Sequence, residues 1–509
     1  MKRFIKNVVL LLALLVFAGV IFACTSGEKE QPDTTEEETD IVYTVVHPEA
    51  ATEGELAACE AIRKHAEKAG AEITVTSDLS AETKHEILVG KTNRKASQDA
   101  LKGLDGGDFT VAAIGDGKSG YKVVVVAASD IGMDFAVDYF LSKAPMEETF
   151  IMIPKDLNHT YKCADPVIAG TPLSEYTVVY ANEGVTSDKR IDASKYVYTV
   201  ENFVELVKQT TGKTIAVTND TGSLPSGKVI FFGNNSSDAD DAAYSVKINK
   251  LGSYQINILD NGNIVLAGKN AASTLAAGEA FLAAVRDDAK QLVPGFELRG
   301  KKKMIRVACV GDSITYGTGS TDDSMYNYPV YLQKLLGYDY YVEKYGAPAN
   351  SLIETDDFAY INSDGFNKSR QAAPDVVIIM LGTNDCHYKA DDSSYRDWTD
   401  PARPAAFIKA GQKLIDAYKR ANPNVQIIFA TPPFVRSNST WSMRIKTYCA
   451  PTIRELAEMN GYQTIDIYSY SRENTDMFRG GDGLHPKDEG YAILAQGFYE
   501  LTKDIIKKP

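Results

Sequence analysis

The feature that most constrains this chain is the regular alternation of apolar runs and amphipathic segments after Met304. The apolar runs that predict strands are Ile305–Val310, Tyr341–Tyr345, Val376–Leu381, Val425–Ala430 and Thr464–Ile467. Apolar residues recur at helical spacing in the segments around them, as in Phe407–Tyr418 and Tyr491–Phe498. Strands separated by helices predict an α/β domain, a parallel sheet with helices on both faces, and such sheets bind ligands at the carboxyl ends of their strands.

Three segments with reactive side chains are predicted to meet at this edge of the sheet. The first strand leads into Gly311–Thr315, and the third strand leads into Gly382–Asp385. A glycine-rich loop, Gly480–Pro486, precedes the last helix. A serine at a strand end, beside a glycine that permits a sharp turn, is expected to be exposed at the active edge.

These three segments, in this order, resemble the motif blocks of the SGNH, or GDSL-type, hydrolase family. The resemblance covers about residues 304–507, and we place the domain at 304–509. It implies a flavodoxin-like parallel sheet with Ser313 as nucleophile, His485 as general base and Asp482 as the residue that orients the imidazole. The oxyanion donors it implies are the backbone N–H groups of Ser313 and Gly346 and the side-chain amide of Asn384. The mechanism it implies requires no metal ion and no other cofactor.

Elementary chemistry supports the same roles. A serine hydroxyl is a weak nucleophile unless a neighbour takes its proton, and histidine titrates near neutral pH. Asp482 and His485 are close enough in one loop to pair, and a carboxylate on the second ring nitrogen fixes the tautomer. Asn384 offers a neutral donor to a developing oxyanion, and glycine at position 346 allows close approach of the backbone to a substrate.

The second block of the family, here Lys344–Asn350, departs from the family pattern at two positions. Lys344 stands where the family has asparagine, and Ala349 stands where it often has a second glycine. Whether Lys344 and Ala349 alter the oxyanion loop around Gly346 is left open by the sequence.

Three other polar residues of this domain need separate interpretation. His387 is the alternative general base, but it lacks a carboxylate in the family position, so we favour His485. Asp312 and Asp385 are expected to hold their loops and not to act as catalytic acids.

Residues 41–300 contain an internal repeat with an offset of 141 to 143 residues. Glu86–Gly90 matches Val229–Gly233, and Tyr121–Ala127 matches the strand that begins at Asn263. Turn sequences Gly115–Gly117 and Asp260–Gly262 predict a hairpin before the last strand of each copy. Each copy is predicted to be strand, helix, two strands, hairpin and helix, which gives two smaller α+β modules at 41–160 and 175–298. They resemble the small α+β domains that precede the catalytic domain in some carbohydrate-active enzymes.

The N-terminus predicts export. Basic residues at 2, 3 and 6 precede an apolar run, Val8–Ala23, that is short for a bilayer span. The run ends in Ile21–Cys24, which resembles a bacterial lipoprotein signal and implies that Cys24 is lipidated. We therefore expect a signal peptide at 1–23, an acidic tether at 24–40 and an extracytoplasmic protein anchored to the membrane. The alternative is an ordinary signal peptide or an uncleaved anchor.

Composition excludes some partners. The net charge of −14 over 509 residues argues against nucleic acid and against charge-driven binding to anionic lipid. Six cysteines are too few for a disulfide scaffold. Three of them are expected to be buried thiols of the C-terminal domain: Cys309, Cys386 and Cys449.

The expected activity is that of a serine esterase that removes O-acetyl groups from carbohydrate. Aromatic residues near the motif segments are candidates for lining the cleft, although each can equally be a core residue: Tyr326, Tyr328, Tyr388, Tyr395, Trp398 and Trp441. A lipase or thioesterase of the same fold is one alternative. The other is a membrane-anchored glycan-binding lipoprotein with a vestigial hydrolase domain. The sequence leaves the natural ester and the oligomeric state open.

Overall fold

The structure is a computed structural model that describes residues 43–508, with gaps at 69, 72, 116–120, 145, 148–149, 152, 155, 183–192, 234–247, 249, 357, 390 and 392–393. Its main sheets follow one another along the chain, with six, six and five strands. The predicted signal peptide, the tether and Cys24 lie outside the described residues.

The first module is built on a six-stranded mixed sheet. Its strands are β1 (Thr44–His47), β2 (Thr74–Ser77), β3 (Glu86–Val89), β4 (Phe109–Ile114), β5 (Lys122–Ala127), β6 (Met146–Glu147), β7 (Phe150–Ile151) and β8 (Asn158–Tyr161). Its helices are Glu53–Lys68, Lys95–Ala100 and Asp130–Lys143. The sheet order is β2-β1-β3-β5-β4-β8, in which the first four strands are parallel. β4 is antiparallel to both of its neighbours, and β6 and β7 form a separate pair.

The second module repeats that strand order. After a short pair, β9 (Val167–Ile168) and β10 (Thr171–Pro172), its strands are β11 (Thr177–Tyr180), β12 (Ala216–Asn219), β13 (Val229–Phe232), β14 (Ser253–Ile258), β15 (Ile264–Gly268) and β16 (Glu297–Lys301). Its helices are Tyr196–Thr211 and Ala271–Asp288. The order β12-β11-β13-β15-β14-β16 matches the first module strand for strand, so the two copies share one fold.

The structure differs from the predicted modules at their last strand. β8 and β16 pair antiparallel to β4 and β14 and close each sheet after the last helix, and neither strand was expected. β16 runs to Lys301, past the expected boundary at 298. Its side chains alternate between exposed and half-buried and include Arg299 and Lys301, so this edge strand has no apolar run that would reveal it.

The C-terminal domain has the predicted parallel sheet. Its strands are β17 (Ile305–Gly311), β18 (Tyr340–Gly346), β19 (Val376–Met380), β20 (Gln426–Ala430) and β21 (Gln463–Ile465). Its helices are Ser313–Tyr316, Tyr328–Leu336, Asp364–Gln371, Ala402–Ala421, Ser439–Arg444, Ala450–Met459, Ile467–Glu473 and Asp488–Thr502, with a π-helical turn at Ile445–Cys449. All strand pairs are parallel in the order β18-β17-β19-β20-β21, the flavodoxin-like order, so the predicted fold class is confirmed.

Both faces of this sheet are buried, as a parallel sheet requires. Along β17, Ala308 and Val310 pack into one apolar cluster while Val307 and Cys309 pack into the other. The predicted strand Thr464–Ile467 is too long at its carboxyl end, because the observed strand ends at Ile465. Ile467 starts a helix, because the Asp466 side chain accepts the N–H of Ser469 and so caps it.

Candidate active site

Ser313 lies at the carboxyl end of β17, on the first turn of a short helix. Asp312 caps that turn, because its side chain accepts the N–H of Ile314 at 3.0 Å. A Cβ on Gly311 would come within 2.1 Å of Oγ1 of Thr315, so only glycine allows the strand and the helix to approach this closely. The sequence thus forces a sharp turn that exposes the serine at the edge of the sheet.

Ser313, His485 and Asp482 form one hydrogen-bonded chain. Oγ of Ser313 lies 2.9 Å from Nε2 of His485, and Nδ1 of His485 lies 2.7 Å from Oδ2 of Asp482. These are the contacts that general-base activation of a serine requires. The three residues named from the sequence as the catalytic set therefore lie together in the geometry that those roles demand.

The loop around His485 orders the carboxylate that faces the imidazole. Oδ1 of Asp482 accepts the backbone N–H of Leu484 at 2.8 Å and of His485 at 2.7 Å. Burial alone would raise the pKa of Asp482, but hydrogen bonds from the His485 ring and from the two backbone N–H groups lower it below its usual value. Asp482 therefore stays ionised and holds the ring with Nδ1 as the donor. The carbonyl of Gly483 accepts the N–H of Arg436 at 2.8 Å, which ties the loop to the segment after β20.

The two predicted oxyanion residues outside the serine turn lie at the same edge. Gly346 ends β18 opposite Gly311, and a Cβ on Gly346 would lie 2.2 Å from the backbone nitrogen of Tyr316 in the serine helix. The side-chain amide of Asn384, just after β19, donates to the carbonyl of Asn350 at 3.0 Å. Because an amide nitrogen carries two N–H groups, this bond fixes the side chain and leaves it one further donor. Oxyanion binding by Gly346 and Asn384 stays a prediction, supported by their place in the fold.

Lys344, which replaces the family's asparagine, makes hydrogen bonds of its own. Lys344 is buried, and its Nζ donates to the carbonyl of Tyr316 at 2.7 Å and to the carbonyl of Asp323. The ammonium also lies 4.8 Å from the centre of the Tyr316 ring. Lys344 therefore fastens β18 to the segment that follows the serine helix.

Ala349 occupies a conformation that suits glycine. Its φ of 62° places it in the left-handed region, which costs an L-residue about 1–2 kcal/mol. The neighbouring carbonyl of Asn350 is the acceptor for the Asn384 amide. The loop thus keeps the backbone path that a second glycine would take.

The other polar candidates are structural. Asp385 is fully buried and accepts the N–H of Leu352 and of Ile353, each at 2.9 Å. Burial raises the pKa of Asp385 to about 6, against the effect of those two hydrogen bonds. Burial also raises the pKa of Asp312, which caps the serine turn. Both aspartates hold loops, as predicted.

His387 is not arranged as a base. Its ring packs 4.6 Å from Trp441 and 5.7 Å from Tyr395, measured between ring centres. Burial lowers its pKa, and the positive charges of Arg396, Lys389 and Arg444 lower it further. The choice of His485 over His387 agrees with this geometry.

Two of the six aromatic candidates, Tyr328 and Trp398, are core residues, and the other four are half-buried. Tyr328 is fully buried and stacks on Phe498, and Trp398 is buried with Nε1 donating to the carbonyl of Asp385 at 2.9 Å. Trp441 is half-buried, and its Nε1 donates to the carbonyl of Thr383, the residue before Asn384, at 2.7 Å. Trp441 therefore lies beside the motif segment that carries Asn384.

The sequence analysis did not identify the segment that packs on His485, which begins at Gly317. Gly319 has a φ of +100°, and a Cβ there would lie 2.9 Å from Cβ of His485 and 2.8 Å from the Pro486 carbonyl oxygen. The only local signal is the pair of glycines at 317 and 319.

The expected buried thiols are confirmed: Cys309, Cys386 and Cys449 are free and buried. Within the described part of the chain, no group of three or more metal-ligating side chains is placed to hold a metal ion.

A parallel α/β sheet with a hydrogen-bonded Ser–His–Asp chain at its carboxyl edge defines the domain as one of the serine hydrolase class. Residues 309–493 match the model of the GDSL-like lipase/acylhydrolase family, which confirms the predicted resemblance for that segment. An acetylxylan esterase from Xylanibacter ruminicola is 31% identical over 207 residues, which are 38% of this chain and 42% of that protein. This chain thus spans less than half the length of that curated relative.

Two solved structures are also similar. A lipase/acylhydrolase from Enterococcus faecalis is 24% identical, over 40% of this chain and 99% of that chain, with a TM-score of 0.30. A family 3 carbohydrate esterase from Clostridium thermocellum is 21% identical, over 40% of this chain and 97% of that chain, with a TM-score of 0.30.

Among the helices that the structure describes, none has the length and apolar character needed to cross a bilayer.

Proposed function

We propose that this protein is a serine esterase that removes O-acetyl groups from carbohydrate through an acyl-enzyme intermediate. The observation that carries the proposal is the hydrogen-bonded chain from Oγ of Ser313 through His485 to Asp482. A drifted, non-catalytic site would not need all three side chains in contact, so this geometry favours an enzyme over a vestigial domain.

The geometry supports a two-step reaction. Ser313 Oγ attacks the acetyl carbonyl while His485 Nε2 takes its proton, and the tetrahedral oxyanion faces the N–H donors of Ser313, Gly346 and Asn384. His485 then returns the proton to the leaving sugar oxygen, so the sugar departs as an alcohol and Ser313 carries the acetyl group. Water deacylates the serine by the same path in reverse and releases acetate. Asp482 stabilises the imidazolium in both steps.

Two observations support carbohydrate as the carrier of the acetyl group. The relative that matches 207 residues of this chain bears the name acetylxylan esterase. Half-buried aromatic side chains, Trp441 and His387, lie in contact beside the segment of Asn384. An aromatic face suits the apolar C–H face of a sugar ring, whose hydroxyls bind polar neighbours.

The test has two stages. A fluorophosphonate probe should label wild-type protein at Ser313 and should not label Ser313→Ala. If the wild type shows no Ser313-dependent adduct, the glycan-binding alternative gains and the esterase proposal fails. Acetate release from acetylated xylan and oligosaccharides should then exceed cleavage of medium-chain acyl esters. A preference for the longer chain would instead favour a lipase or thioesterase of the same fold.

We propose further that the protein is extracytoplasmic and held to the membrane through lipid on Cys24, because the N-terminal sequence resembles a lipoprotein signal. The lipid would be the only contact with the membrane. The test is detergent phase partition of the full chain expressed in a bacterium. The wild type should enter the detergent phase and Cys24→Ala should not. Equal partition of both would contradict lipidation at Cys24.

A further inference from the structure

The segment at residues 317–327, here called the histidine-backing loop, connects the serine helix to the helix Tyr328–Leu336. At its start, Gly319 packs so tightly on His485 that a Cβ there would lie 2.9 Å from the Cβ of the histidine. The loop therefore forms part of the wall that sets where the catalytic imidazole sits. Bonds that limit the movement of this loop therefore also limit the room that Gly319 leaves for His485.

The catalytic domain holds the first half of the histidine-backing loop. The hydroxyl of Tyr491 donates to the carbonyl of Thr318 at 2.8 Å. The backbone N–H and the hydroxyl of Thr321 donate to the two carboxylate oxygens of Asp488, at 2.7 Å and 2.6 Å. Tyr491 and Asp488 belong to the last helix, directly after the loop of His485.

The second module holds the other half. The hydroxyl of Tyr198 donates to the carbonyl of Met325 at 3.0 Å, and Nζ of Lys195 donates to Oγ of Ser324 at 3.1 Å. Tyr198 is 7% exposed and belongs to the same apolar cluster as the catalytic sheet. The ammonium of Lys334, from the helix after the loop, lies 3.7 Å from the centre of the Tyr198 ring.

Tyr198 and Lys195 belong to a well-packed part of the second module. Tyr198 is on the first turn of the helix Tyr196–Thr211, whose Phe203 and Val207 are buried in the core of the module. Just before it, Oγ of Ser194 accepts the N–H of Ala272 at 3.1 Å, which ties the start of this helix to the helix Ala271–Asp288. The contact on the histidine-backing loop is therefore continuous with the core of the module.

We propose that the second module is a positioning element of the active site, in which Tyr198 and Lys195 fix the histidine-backing loop and thereby the catalytic histidine. The inference rests on the esterase activity proposed above and assigns a task to a module that holds no part of the Ser–His–Asp chain. General-base catalysis requires the imidazole within a fraction of an ångström of its working position, so loosening its wall lowers the rate of the chemical step. Substrate binding at the cleft should change little.

The test is Tyr198→Phe in the full chain. This change keeps the ring and its contact with Lys334 but removes the hydroxyl that donates to Met325. With 4-nitrophenyl acetate we expect kcat to fall about three- to tenfold while KM stays within error, since only the alignment of the base is affected. The rate of fluorophosphonate labelling at Ser313 should fall by the same factor. Lys195→Met, which removes the bond to Ser324, should act in the same direction.

The matched control is Tyr176→Phe. The Tyr176 hydroxyl donates to the carbonyls of Ile168 at 3.0 Å and Gly262 at 2.9 Å, so this variant loses the same kind of buried bond within the second module alone. It should lower Tm and leave kcat unchanged well below Tm. The positioning role is overturned if Tyr198→Phe and Lys195→Met both keep wild-type kcat, or if Tyr176→Phe loses as much. Failure of the esterase proposal is distinct, because the wild type itself would then not be labelled at Ser313.

Discussion

The first module and the catalytic domain each place an aspartate in a loop at the end of the sheet, and the two carboxylates use their oxygens differently. Asp78, directly after β2, accepts the N–H of Glu49 on Oδ1 at 2.9 Å and the N–H of Asn93 on Oδ2 at 2.6 Å. Asp482 accepts two backbone N–H groups on Oδ1 alone and keeps Oδ2 for the His485 ring. Asp78 thus uses both carboxylate oxygens to hold the backbone, whereas Asp482 uses one oxygen for the backbone and the other for the ring of His485.

The second module repeats the structural use. Asp220, directly after β12, accepts the N–H of Asn182 at 2.8 Å, as Asp78 accepts that of Glu49 after the corresponding strand. Both residues are buried. The repeat therefore preserves an aspartate that holds two loops together. An aspartate in such a loop is thus not by itself a sign of catalysis. The informative observation is what its second carboxylate oxygen contacts, a backbone N–H group or a histidine ring.

Removing the predicted nucleophile and base, Ser313 and His485, should change activity more than any other substitution considered. Ser313→Ala and His485→Ala should each lower esterase kcat by about 10⁴-fold or more, because nucleophile and base act as one unit. Far-UV circular dichroism and Tm should stay near those of the wild type, since both residues are half-buried and neither belongs to an apolar core cluster. Near-normal acetate release by either variant would contradict the assignment.

The two aspartates give the next largest effect and test the comparison directly. Asp482→Asn should lower kcat by about 10²- to 10⁴-fold, because the amide no longer stabilises the imidazolium and favours the wrong tautomer. Asp78→Asn should leave kcat unchanged and lower stability by about 1–3 kcal/mol, because an amide nitrogen then faces a buried N–H donor. Kinetics and thermal unfolding on both variants separate the two roles. Equal effects on kcat would abolish the distinction.

Asn384→Ala should have a smaller effect on rate. Loss of one preorganised oxyanion donor lowers kcat by about 10²- to 10³-fold, with KM little changed. Asn422→Ala is the matched control, since its amide donates to the carbonyl of Pro374 at 2.9 Å, at the opposite end of β19. It removes the same type of bond away from the site and should change stability only. If the two variants have the same kcat, Asn384 is structural.

The catalytic sheet and its three motif segments were predictable because their signals are local. Val376–Met380 is five buried apolar residues, and Ser313, Asn384 and His485 follow recognisable strands or loops. β16 and the contact of Tyr198 with Met325 were not predictable, because both depend on partners far along the chain. The role of Lys344 was equally hidden, since its acceptors are carbonyl oxygens, which every residue carries.

The smallest expected effect concerns the strain at Ala349. Its left-handed φ of 62° costs about 1–2 kcal/mol, whereas glycine adds about 0.5–1 kcal/mol of chain entropy to be lost on folding. Ala349→Gly should therefore raise the free energy of unfolding by about 0–1.5 kcal/mol. Ala373→Gly, at a φ of 46° just before β19, should give a similar gain and is the matched control.

The two variants should differ in kcat and not in stability. Ala349 precedes Asn350, whose carbonyl anchors the Asn384 amide, so added freedom at 349 should loosen an oxyanion donor, while added freedom at 373 touches no reacting group. We expect a small decrease in kcat, less than about threefold, for Ala349→Gly alone. A decrease of the same size in Ala373→Gly would show that the loss reflects general loosening. An unchanged kcat in Ala349→Gly would show that the anchor at Asn350 holds Asn384 without help from its neighbour.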